Sequence, residues 1–162
     1  METNKTKEQF GDINLNRGSV HKVLAHSYLF FFVSFLVGLI LDFIFQIKIF
    51  ENIAMASVGV IFLVFGTALI YWAQKSSHDL KIDTLTKETF YNGPYRYTRS
   101  PTHYGLFFLM FGFGITSNAL FVIIFSAISL LVTKFVFLKK EEKILAEKYG
   151  APYLEYKKTV KL

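Results

Sequence analysis

Residues 104–133 read YGLFFLMFGFGITSNALFVIIFSAISLLVT, a run of about 30 residues without a formal charge. As one straight helix it is about 45 Å long, whereas a bilayer core is about 30 Å thick, so a single crossing needs strong tilt. Gly114-Ile115-Thr116-Ser117-Asn118 offers a break inside it, because Gly, Ser and Asn favour turns. Folding there gives a helical hairpin with legs at about 103–116 and 118–138. The first leg is short for a full span, which suggests a partly inserted hairpin.

Charge placement supports the hairpin. Lys5, Lys7, Arg17 and Lys22 precede the first apolar run, and Lys75, Lys81, Lys87, Arg96 and Arg99 fall in the polar segment 74–102. Residues after Leu138 are rich in lysine, while the connection 48–52 carries only Lys48, offset by Glu51. With a hairpin all three basic segments lie on one side, and the positive-inside rule makes that side cytosolic, with both termini there.

Two apolar runs come earlier, 24–47 with Leu29-Phe30-Phe31-Phe32-Val33, and 53–73. About 20 residues suffice to cross. The second run carries Gly59 and Gly66, which permit close helix approach, and ends at Tyr71 and Trp72, suited to headgroup level. Asp42 lies inside the first run near one end. It either reaches water about a turn from the interface or has a function, the default reading of an intramembrane acid.

After the hairpin, 138–149 places Leu138, Ile144, Leu145 and Tyr149 on or near one stripe, as in an amphipathic helix. Gly150 suits its C-terminal end, and Pro152 suits the first turn of another short helix. The expected fold is an all-α integral membrane protein with two transmembrane helices, then a helical hairpin and a C-terminal amphipathic cytosolic helix. Residues 1–22 form a polar N-terminal tail and 23–162 a single domain.

Composition agrees. Of 162 residues, 52% are hydrophobic and 18% aromatic, with 19 Phe, against roughly 45–50% apolar residues in soluble domains. The formal charge of +6 flanks apolar runs, so membrane lipids with anionic headgroups account for it and no nucleic acid is expected. The absence of cysteine excludes disulfides and thiolate chemistry. His21, His26, His78 and His103 show no zinc spacing, so no metal is expected. No phosphate-cradling glycine loop is present, and the chain has neither length nor strands for a nucleotide-binding α/β domain. The compact size points to a bacterial cytoplasmic membrane, and the oligomeric state is left open.

Two segments can carry chemistry. Gly93-Pro94-Tyr95-Arg96-Tyr97-Thr98-Arg99-Ser100-Pro101-Thr102-His103-Tyr104-Gly105 puts two arginines, three tyrosines and a histidine at a membrane–water boundary. Such a cluster holds an amphiphilic anion or zwitterion, or else merely anchors the chain at the headgroups. The second, Glu141-Glu142 followed by Tyr149-Gly150-Ala151-Pro152-Tyr153-Leu154-Glu155-Tyr156, reads alone as a solvated charged helix.

In this order and spacing, the two segments resemble the isoprenylcysteine carboxyl methyltransferase and phospholipid methyltransferase group of membrane enzymes, over about 53–161. That family's Gly-x-Tyr…Arg-His-Pro-x-Tyr-x-Gly stands here as Gly93-Pro94-Tyr95…Arg99-Ser100-Pro101-Thr102-His103-Tyr104-Gly105. Its acidic pair and Phe-Gly-x-x-Tyr-x-x-Tyr stand as Glu141-Glu142 and 149–156. Ser100 replaces the family histidine and His103 the family tyrosine, so both positions keep a hydrogen-bonding group.

The resemblance implies methyl transfer from S-adenosyl-L-methionine to a lipophilic acceptor, isoprenylcysteine carboxylate-like or phospholipid-like, at the cytosolic face. It implies Tyr95, Ser100, Pro101, Thr102, His103, Glu141 and Glu142 in the cofactor pocket, with 87–90 as a possible approach strand. Arg99, or Arg96, would hold an acidic acceptor, and His103 would act as base toward an amine or phenol. Phe137 stands where the prenylcysteine enzymes place an arginine against the substrate carboxylate, which turns the expectation toward another lipid-like nucleophile. A sterol-reductase-like oxidoreductase, whose family shares an Arg-His-Pro motif, and a non-catalytic membrane protein retaining the fold are the alternative readings.

Overall fold

The computed structural model describes residues 2–52, 54–78 and 92–160, with side chains from 22 onward except those of 78 and 148. Helix α1 is Glu2–Phe45, α2 Ala54–His78, α3 Pro101–Thr116 and α4 Leu120–Val132. A 3-10 turn, Gly93–Arg96, precedes α3, and a π-helical turn, Thr133–Phe137, joins α4 to α5, Leu138–Tyr149. Helix α6 is Ala151–Thr159. No strand occurs among the described residues.

Lys22–Phe45, Ala54–Ser77 and Leu120–Glu147 are long and apolar enough to cross a membrane. Charged residues begin in earnest just past Leu138, at Lys139 and Lys140, so the apolar part of the last stretch ends at 138 and α5 lies beyond it. The first apolar run stops two residues earlier than expected, because Gln46 turns to φ 49°. The second continues past 73 to His78.

Glycines set the closest helix contact. A Cβ on Gly59 would lie 2.6 Å from the Gly112 carbonyl oxygen, and one on Gly66 2.8 Å from that of Gly105. Helices α2 and α3 thus touch backbone to backbone at two points seven residues apart on each helix, the use expected of Gly59 and Gly66. Helices α1 and α4 meet at Gly38, where a Cβ would lie 3.0 Å from Val122 Cα. Phe31, Met110, Ala119 and Val122 form the core between these pairs, with Phe35 edge-on to Phe113 at 5.1 Å.

The expected break appears as a turn at Ser117 and Asn118. Asn118 takes φ 55°, a conformation its short amide tolerates. Its Oδ1 accepts from the backbone N–H groups of Ile49 and Phe50 at 2.8 and 2.9 Å, and its Nδ2 donates to Phe50 O at 2.7 Å. The hairpin turn is therefore tied to the α1–α2 connection. The 16 residues of α3, about 24 Å of helix, run to that level and do not stop part-way.

Asp42 has a defined place. Its two oxygens accept from Phe121 N–H at 3.0 Å and Val122 N–H at 2.9 Å. A helix N-terminus leaves amides without intrahelical partners, and Asp42 caps those of α4 from the neighbouring helix.

Candidate functional site

The opposite end of the bundle gathers the first turns of the apolar part of α1, the end of α2, the 3-10 turn, the start of α3 and helix α5. Gly93 seats the 3-10 turn. It takes φ +57°, and a Cβ there would lie 2.9 Å from Ser76 Cβ and 3.0 Å from Trp72 Nε1. Pro101 is buried at the first position of α3, where its missing N–H costs nothing.

This seating brings Tyr95 over the end of α2. The Tyr28 and Tyr95 phenols both lie against the Thr102 side chain, and Tyr95 also approaches Ser77. Glu141, from α5, acts electrostatically on both phenols. Burial raises the Tyr95 phenol above its ordinary range. Burial, then the adjacent Glu142, pushes the Glu141 carboxyl up to about 7. Glu141 Oε2 is buried without a hydrogen-bond partner. A half-ionised carboxyl among phenols, with one oxygen unsatisfied, is an arrangement that a bound cation completes.

Glu142 does a different job. It is 7% exposed and forms ion pairs with Arg99 and, at 2.8 Å, with Lys157 Nζ of α6. Tyr156 donates its hydroxyl to Tyr95 O at 2.7 Å. Gly150, at φ 60° and ψ −136°, makes the elbow that folds α6 back. Tyr153 is buried beside Tyr156, and burial, then Glu142 and Glu141, raises its phenol.

His103 faces α1. Ser27 donates its hydroxyl to Leu24 O at 2.8 Å, and its oxygen lies 2.9 Å from His103 Nε2. A hydroxyl has one hydrogen, so His103 carries its proton on Nε2 and donates it to Ser27. Nδ1 then holds a lone pair, buried and without a partner. The ring stacks on Phe31 with centroids 6.4 Å apart.

Tyr95, Thr102 and Glu141 thus converge, and Pro101 is buried next to Thr102 at the start of α3. Arg99 and Glu142 pair with each other. Ser100 donates its backbone N–H to Thr98 Oγ1 at 3.3 Å, and its side chain caps nothing. Arg96 is exposed, and 87–90 lies outside the described residues. Tyr28, Ser77 and Lys157 were not among the expected residues. Tyr28 sits in an apolar run where an aromatic belt is the ordinary reading, and nothing local marks Lys157.

An apolar cavity of about 320 Å³ adjoins the cluster, between α1, α2 and α3, lined among others by Tyr28, Phe31, Phe35, Leu63, Leu106 and Met110. Tyr28 belongs to both cavity and cluster. A polar head and an apolar tail can therefore be held side by side.

A sequence model of the family described as phospholipid methyltransferase matches residues 53–152. No curated protein and no solved structure matches the chain.

Proposed function

The chain belongs to the phospholipid methyltransferase family, and on that premise we propose that it transfers a methyl group from S-adenosyl-L-methionine to a lipid-like acceptor at the cytosolic face of the membrane. One observation carries the cofactor assignment: the buried, unsatisfied Glu141 carboxyl beside Tyr28 and Tyr95 fits a cationic group. When bound, the cofactor supplies a methyl already activated by its sulfonium charge. The protein's part is alignment and exclusion of water. Glu141 holds positive charge, Tyr95 and Thr102 fix the rim, and the Tyr28 ring separates this polar site from the apolar cavity. The cavity takes the acceptor's tail.

Two features favour a protic acceptor such as an amine over a carboxylate. Arg99 is engaged by Glu142, and Glu141 would repel an anion. We place both termini on the cytosolic side, with the turns at 49–50 and 117–118 opposite, and read 23–162 as one domain behind a polar tail.

The test supplies purified protein in lipid with methyl-labelled S-adenosyl-L-methionine and vesicles of an aminophospholipid. Label should enter the lipid with the native chain and fall at least tenfold with Glu141→Gln. A folded native chain that labels neither aminophospholipid nor any other lipid of a total membrane extract would overturn the proposal.

A further inference from the structure

The buried face of the last long helix is Val122, Ser126, Ser129, Thr133, Leu138 and Glu142. The spacings are four, three, four, then five, then four. An α-helix turns about 100° per residue and repeats a face every three or four positions. A step of five carries a side chain off the face unless the backbone widens, and it widens here. Leu138 N–H donates to Thr133 O, the five-residue bond of the π-helical turn Thr133–Phe137. With α geometry throughout, Phe137 and Glu141 would occupy the places of Leu138 and Glu142.

We infer that this π-helical turn is the register device that assigns the two acids, sending Glu142 to Arg99 and Lys157 and leaving Glu141 for the cationic ligand. The inference rests on the proposed cofactor site for its functional meaning, though not for its geometry. Neighbouring side chains on one helix point about 100° apart, so one residue of slip moves each acid to the next place. That slip would bury Glu141 in the ion triad, carry Glu142 to the place of Lys143 and turn Lys140 toward Tyr28 and Tyr95. The turn is thus a positioning element, and its signature is which acid the ligand requires.

Deleting Val136 removes the extra residue and lets the turn close to α geometry with Leu138 and Glu142 still on the buried face. Calorimetric titration with S-adenosyl-L-methionine should give a Kd within about threefold of the native value. Glu141→Gln should still weaken binding at least tenfold in the deletion background, and Glu142→Gln should weaken it less. Dependence transferred from Glu141 to Glu142 in that background overturns the inference.

A second measurement is independent of ligand. The chain has no cysteine, so Arg99→Cys can be paired with Glu142→Cys or Glu141→Cys and treated with a short thiol crosslinker. The 99–142 pair should crosslink with and without the deletion, and the 99–141 pair in neither. A 99–141 crosslink favoured in the native-length chain overturns the inference. If the crosslinks behave as stated and the native chain fails to bind the cofactor, the proposed site fails and the register device stands.

Discussion

At the residue scale, the two acids should respond differently. Glu141→Gln removes a carboxylate facing a cation, with an expected loss of at least ~1.4 kcal/mol, or tenfold in Kd. Burial and the adjacent Glu142 hold the carboxyl near 7, and it must be ionised to hold a cation. Affinity for S-adenosyl-L-methionine should therefore be constant above about pH 8 and weaken toward tenfold per unit below 7, as titrations from pH 5.5 to 8.5 would show. The same shift, upward from 4.5, means the folded state binds the proton more tightly than the unfolded chain. The ligand-free protein should therefore lose stability as pH rises from about 5 to 7, with a falling melting temperature. Arg99→Ala leaves the largely buried Glu142 with only the half-exposed Lys157 as partner and should cost up to about 3–5 kcal/mol, the range for breaking a buried pair outright. Lys157→Ala, at a 41% exposed side chain, should cost under about 1 kcal/mol. Thermal unfolding of both variants in one detergent checks the order.

Motif order singled out Tyr95, Thr102 and Glu141, because a family resemblance preserves spacing, and the fold brings the three together. It gave Glu141 as the acid with Glu142 beside it, without a physical reason for the division. That division depends on a π-helical turn, and TKFVF at 133–137 carries no glycine or proline to announce one. Asp42 was visible as an anomaly, but its partners, the amides of 121 and 122, lie some 80 positions away.

At the element scale, the α2–α3 contact depends on absent side chains. Gly112→Ala would set a Cβ 2.7 Å from the Gly59 carbonyl oxygen and 2.8 Å from Leu63 N. Both are backbone atoms, so the helices must part. The expected cost is about 1–3 kcal/mol, read as a lower melting temperature in detergent. Gly59 and Gly66 could be read as contact points from sequence, whereas Gly105 and Gly112 became partners only once the antiparallel register was known. The hairpin break at 114–118 was legible because turn residues cluster there. That its first leg runs to the level of the α1–α2 connection was not, since 16 residues are short for a span and the ties come from Asn118 to residues far away in sequence.

At the scale of the whole molecule, the bundle has two chemically distinct ends. One holds the tyrosines, the ion triad and the acid pair. The other holds Asp42 and Asn118 in purely backbone roles. Separate single cysteines at Ser117 and Lys158 in this cysteine-free chain should be labelled by an impermeant thiol reagent from opposite faces of the membrane. Labelling from the same face would contradict the topology. The apolar cavity reaches the first of these ends at Tyr28, so on the proposed function tail and head of one acceptor are held together.

The most direct test is calorimetric titration of the purified, lipid-supplied protein with S-adenosyl-L-methionine beside its Glu141→Gln variant. Saturable binding to the native chain, weakened at least tenfold in the variant, is the expected result. A folded native chain that does not bind, or a variant that binds equally well, would contradict a methyl-donor site built on Glu141.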